Sequence, residues 1–272
     1  MAAMKSGASR RGLGSVPDRA LFAFAGLVYL FLYAPIAVLV FFSFNSSRST
    51  QVWTGFSTQW YGELLRDGSI LSAFRNSLIV GVSATVIATA IGTLLALAMT
   101  RHGFRGKNFA DSTIYAATVM PEIVVGVSLL AFFVTVQMQL GLVTITIAHV
   151  AFCISFVTIV VRARLSGMDR SVEEAAQDLG ANPVTTFFRV TLPLIFPGVM
   201  AGALLAFTLS FDDFVITFFV SGTGSSTLPL KIYSMIKFGV SPVINALSTV
   251  VLAVTLIVVF GGSRFFARKE EA

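Results

Sequence analysis

Apolar residues fall along this chain in six uninterrupted runs of about 20, the length an α-helix needs to cross the hydrocarbon core of a bilayer. Their limits are Leu21–Phe44, Ser77–Met99, Ser112–Val136, Leu142–Val161, Leu194–Val220 and Val243–Phe260. The fifth is too long for one simple span and carries two acids. It is expected to cross in its first two-thirds and to continue as an outer segment. Pro121 interrupts the third run and predicts a kink, because it lacks the amide hydrogen that the helix ladder uses. The stretch from Asn45 to Arg75 reads as the largest external loop, with Trp53, Trp60 and Tyr61 placed where outer-interface aromatics are expected. No internal repeat, low-complexity tract or separate soluble domain stands out in the sequence.

Composition turns this pattern into a class. Of 272 residues 56% are hydrophobic and only 12% charged, against roughly 25% charged in an ordinary soluble domain. Mean hydropathy is +0.86, so lipid must be the solvent for much of the chain. Cys153 is the only cysteine, which excludes an internal disulfide framework and any multi-cysteine metal site. His102 and His149 could supply only part of a zinc site. The net charge of +6 has a sidedness. Fourteen of the nineteen Lys and Arg residues precede the first run, lie between runs two and three or four and five, or follow the last. Arg48, Arg66, Arg75, Lys231 and Lys237 fall on the other side. The positive-inside rule then places both termini in the cytoplasm, and the basic excess needs no nucleic-acid partner. Leu21–Phe44 exceeds the apolar core of a signal peptide and no small-x-small cleavage site follows it, so an uncleaved first span is expected.

The cytoplasmic connection from Arg162 to Pro193 is far longer than topology needs. Ser171 followed by Glu174 reads as a capping box, Val172, Ala175, Ala176 and Leu179 share one helical face, and Gly180 supplies a left-handed stop. Arg170, Glu173, Gln177 and Asp178 fall on the opposite side, and Asn182-Pro183 starts a second short helix. An amphipathic helix lying at the headgroups would favour bulky apolar residues flanked by Lys and Arg. Here the face is alanine-rich and the polar side largely acidic, which fits a protein partner better than anionic lipid.

Glu174-Ala175-Ala176, then Gly180, then Val190-Thr191-Leu192-Pro193 resembles the EAA loop of binding-protein-dependent ABC importer permeases, with Val190 where the family often has Ile. The resemblance runs from about Phe74 to Phe260 and includes Asn76-Ser77-Leu78. It implies an all-α membrane protein with six transmembrane helices in the type I ABC importer permease fold. Residues 1–20 would be a cytoplasmic tail, 21–72 the first span with its external loop, 73–261 the permease core and 262–272 a second cytoplasmic tail. It further implies that the loop is a coupling helix, with Glu173, Glu174, Ala175, Ala176, Asp178, Leu179 and Gly180 the residues that engage a separate ATPase subunit. ATP and Mg would be bound by that ATPase and no cofactor by this chain. Gly106-Lys107 is a poor Walker A loop, with Arg101 where the first glycine belongs and Asn108 where the hydroxyl belongs.

Three carboxylates lie within apolar runs: Glu122, Asp212 and Asp213. Each would cost roughly 2.5–3.5 kcal/mol at the centre of a lipid-facing helix, so such groups face a protein interior or a watery path. Counting helical rise along straight spans puts Glu122 about 15 Å above the inner face and Asp212 about 22 Å above it, an acidic ladder from outer mouth to middle. Phe207, Phe211, Phe214 and Tyr233 offer aromatic faces to alkyl-ammonium groups. Because adjacent acids point in different directions on a helix, no more than one of Asp212 and Asp213 is expected to line the path. Ser210-Phe211-Asp212-Asp213, Leu228 to Ser234, Gly239 to Pro242 and Asn245-Ala246-Leu247 resemble the spermidine/putrescine branch of the same permease family. That resemblance implies polyamine uptake, with a second homologous permease subunit, an ATPase dimer and an extracytoplasmic substrate-binding protein as partners in a bacterial inner membrane. Its path residues would be Glu122, Phe211, Asp212, Asp213 and Tyr233. An ion-coupled secondary transporter would also carry acids in its spans but leaves the loop unexplained. An aspartyl protease needs facing acids from different helices. His149 and Cys153, one turn apart, read as a satisfied buried histidine and a packed thiol before they read as metal ligands.

Overall fold

The computed structural model describes residues 18–48, 52–237, 239 and 241–270. Four helical stretches are long and apolar enough to cross a bilayer: Arg19–Phe42, Gly68–Arg101, Leu142–Ser166 and Pro183–Asp212. They contain α1 (Asp18–Phe42), α3 (Gly68–Arg101), α6 (Leu142–Ser166), α8 (Pro183–Thr186) and α9 (Leu192–Asp212), with α2 (Gln59–Arg66) ahead of α3. A broken pair, α4 (Lys107–Val119) and α5 (Glu122–Thr135), covers the third apolar run, and α12 (Pro242–Glu270) occupies the sixth. Among the described residues there is no strand, only an isolated bridge between Asn45 and Phe56.

Three runs differ from a simple helical reading, each for a local reason. α3 begins nine residues before the apolar run does, because Asp67 caps it: its Oδ1 accepts from the amides of Ser69 at 2.8 Å and Ile70 at 3.3 Å. These bonds, the Ser69 hydroxyl first among them, hold the Asp67 carboxyl below its ordinary range. The third run is broken, not kinked. α4 and α5 meet at 112°, since Met120 is forced extended by the proline that follows it and Pro121 offers no amide hydrogen. A straight-line depth for Glu122 therefore does not hold. The fifth run divides at Asp213, after which α10 (Val215–Val220) continues as a separate short helix.

The chain forms two compact units. One comprises α1, the loop through Leu64, and α12 packed along α1. In its loop Trp60 is only 3% exposed and donates its indole N–H to the Asn45 carbonyl, while Tyr61 shares a 2.7 Å bond with Ser43. Trp60 is thus a loop core residue instead of an interface anchor. The other unit runs from Leu65 to Gly239.

In this larger unit α6 is the central post, and its buried stripe Ile145, His149, Cys153, Val157, Val161 and Leu165 repeats every fourth residue. α3 and α9 close on it through small residues. Val157 sits between Gly92 of α3 and Gly202 of α9, and a Cβ added at Gly92 would fall 2.8 Å from the Val157 Cβ. Gly92→Val should therefore destabilise the unit by about 1–3 kcal/mol. The check is the thermal unfolding midpoint in detergent, where an unchanged midpoint would contradict this close approach. Asn76 and Ser77 fasten the far end of α3: the Asn76 amide donates to the carbonyls of Gly224 and Ser226, and the Ser77 hydroxyl accepts from the Leu228 amide at 2.8 Å. Leu228 opens α11 (Leu228–Lys237).

Candidate functional site

Two constellations carry chemistry, one at each end of the α3, α6 and α9 bundle. The first grows from the break after α9. The chain leaves the helix at Asp213, whose backbone is extended, and restarts at Val215. The Asp213 carboxylate spans that gap: Oδ1 accepts from the Ile216 amide at 3.2 Å, and Oδ2 accepts from the Thr217 amide and hydroxyl, both at 2.8 Å. His149 of α6 completes the cluster, with Nε2 3.1 Å from Asp213 Oδ2 and 3.0 Å from Thr217 Oγ1, and Nδ1 2.7 Å from the Ser210 hydroxyl. The side chains of His149 and Asp213 are 2% and 5% exposed. Both imidazole nitrogens are thus engaged, and Cys153 donates its thiol to the Ala206 carbonyl.

Asp213 and Asp212 have opposite surroundings. Asp213 is enclosed and occupied by local bonds; Asp212 is exposed. Glu122, the first residue of α5, is also exposed and close enough to both for their charges to act on one another. The break at Pro121 brings this acid towards the α9–α10 junction, in place of the ladder that straight spans would give. Aromatic rings surround the junction. Phe211 stacks on Phe207 at 5.5 Å and meets Phe74 edge-on at 6.4 Å. Tyr233 of α11 lies 4.6 Å from Phe214 and is 48% exposed.

The second constellation is the connection after α6. α7 (Ser171–Asp178) forms where the sequence places a helix, but its start differs. Arg170 is already helical, so the Ser171–Glu174 capping box is not made. Asp169 accepts the Ser171 amide at 3.0 Å instead, and its bonds with Ser171 hold its carboxyl below the ordinary range. The helix ends as expected. Gly180 has φ +89°, its amide donates to Gln177, and the Ala181 amide reaches back to Ala176, the paired bonds of a Schellman stop. Asn182 then caps α8 through the Thr185 amide at 2.8 Å, and a π-helical turn over Phe187–Thr191 leads into α9.

Among the residues of this loop, Val172, Glu174, Ala175, Asp178, Leu179 and Gly180 are exposed and Ala176 is half-buried. Leu179 is 90% exposed. Glu173 turns the other way: Oε1 accepts the Thr191 hydroxyl at 2.7 Å and lies 3.0 Å from Arg101 Nη2 at the end of α3. Arg162 of α6 pairs with Asp111 of α4 near the same end. The inward turn of Glu173 and the partners of Asp213 are not in any motif. The one sequence signal for the latter was a histidine stranded in an apolar run, which needs a polar partner from another span.

Known proteins resemble this chain over most of its length. Residues 88–269 match the family model described as a binding-protein-dependent transport system inner membrane component. The putrescine transport system permease protein PotI of Escherichia coli K12 is 47% identical over 252 residues, covering 90% of each chain. The spermidine/putrescine transport system permease protein PotC of the same organism is 44% identical over 247 residues, 91% of this chain and 93% of that one. Among solved structures, a bacterial ABC transporter involved in the import of the acidic polysaccharide alginate superposes with a TM-score of 0.75. It is 17% identical, with 92% of this chain and 96% of that chain covered.

Proposed function

The chain belongs to the family of binding-protein-dependent transport system inner membrane components, and from that premise we propose that it conducts polyamines inward as one of two permease subunits of an ATP-driven importer. The observation that carries the substrate is the 47% and 44% identity, across some nine-tenths of the chain, to permeases named for putrescine and spermidine. The α9–α10 junction supports it chemically. Exposed Asp212 and Glu122 attract a cation, while Phe211 and Tyr233 present ring faces to ammonium and methylene groups. Asp213 serves the path from behind, holding the break in shape.

In this reading a second homologous permease subunit completes the path, and an extracytoplasmic binding protein delivers solute. An ATPase dimer receives α7 from the cytoplasm through its exposed apolar face and Glu174, Asp178 and Gly180. ATP and Mg reside on that dimer, and both termini of this chain lie in the cytoplasm of a bacterial cell. Reconstituted with those partners in liposomes, the chain takes up radiolabelled putrescine only when ATP is supplied. Uptake that persists without nucleotide and follows an imposed pH gradient would sink this reading in favour of an ion-coupled carrier.

A further inference from the structure

We infer that Glu173 is the positioning residue that fastens the coupling helix to the spans it moves, so that one carboxylate carries the stroke from α7 into α3 and α9. The inference rests on the importer reading above and goes beyond it, because Glu173 lies on the side of α7 turned away from the exposed apolar face.

α7 has no buried residue and its apolar face is only half-covered at Ala176, so apolar packing holds it weakly to its own chain. Between it and the end of α3 lies a cavity of about 370 Å³ bordered by Leu97, Arg101, Arg170, Glu173 and Phe187, which leaves packing there open. What spans that opening is polar. Glu173 Oε1 receives the Thr191 hydroxyl, one residue before α9, and pairs with Arg101, the last residue of α3. The paired side chains are 16% and 13% exposed, shielded enough for the charges to act strongly. Arg170, just ahead of α7, adds a second tie, its Nη2 donating to the carbonyls of Thr100 at 3.3 Å and Arg101 at 3.4 Å. Those carbonyls belong to the last turn of α3, which lacks helical partners. A displacement of α7 thus reaches two spans through Glu173, while neighbouring Glu174 stays exposed for the ATPase.

The test uses the whole importer in liposomes, reading ATP hydrolysis and radiolabelled putrescine uptake on the same vesicles. In Glu173→Gln the ATPase is expected to copurify as in wild type and to hydrolyse ATP. Uptake per ATP should fall about tenfold, the scale of one charge-assisted hydrogen bond. Exchanging the pair, Glu173→Arg with Arg101→Glu, should recover much of that ratio. A merely structural role predicts less assembled complex with normal uptake per ATP in what assembles, and that result overturns the inference. Loss of ATPase copurification also overturns it, because Glu173 would then belong to the docking face. Should Glu173→Gln fail to assemble, Thr191→Val removes one tie and is read the same way, an unchanged ratio counting against the inference. Wild-type vesicles that show no ATP-driven uptake overturn the importer reading and the inference together. Wild-type uptake with unaltered coupling in the variants overturns the inference alone.

Discussion

Replacing Asp213 with alanine is expected to cost the fold about 3–5 kcal/mol, because it takes a shared acceptor from several buried donors at about 1–3 kcal/mol each. The carboxylate receives the amides of Ile216 and Thr217, the Thr217 hydroxyl and the His149 ring. Its loss leaves each of these donors facing a site closed to water, and each buried donor without a partner adds to the penalty. The effect should be local in origin and global in consequence, because His149 belongs to the central stripe of α6 and Ser210 to α9. A large drop in the unfolding midpoint in detergent, with poor recovery of folded protein, is the measurement. Asp213→Asn should lose less than alanine, since its single amide oxygen can still accept one of the two backbone amides, which bond to different carboxylate oxygens in the native protein. Wild-type stability in Asp213→Ala would mean the cluster contributes nothing to the α9–α10 junction.

Asp212→Asn should do the reverse. Its carboxylate is exposed and makes no bond on which the helix end depends, so stability should change by less than about 0.5 kcal/mol and the unfolding midpoint should barely move. ATP-driven putrescine uptake should nevertheless fall about tenfold, equivalent to about 1.4 kcal/mol of lost stabilisation of the passing cation. The contrast between neighbours is the informative result: one acid tested by stability, the other by transport. Equal transport by Asp212→Asn and wild type would remove this acid from the path and leave Glu122 as its remaining exposed carboxylate.

The connection between α6 and α9 shows how much a sequence can carry when its signals are local. Gly180 adopts the left-handed conformation, Asn182 caps and Pro183 opens the next helix, because each depends on atoms within a few residues. The capping box at Ser171 failed for an equally local reason, a competing carboxylate two residues earlier at Asp169. Glu173 lay beyond such reasoning. Helical spacing put it on the polar side of α7, but only the approach of Arg101 from 72 positions upstream makes that side an inward one.

The apolar runs and the basic residues around them determined by themselves that this protein is a helical membrane protein, since a bilayer imposes its thickness on any chain that crosses it. The EAA loop and the residues after Ser210 likewise carried the family, because fixed spacing survives in one dimension. Tertiary structure alone decided that Pro121 breaks its span through 112°, that Trp60 is loop core, and that Asp212 and Asp213 take opposite environments. Those outcomes depend on which distant groups arrive beside a residue: His149 crosses from α6 to claim one acid and leaves its neighbour exposed.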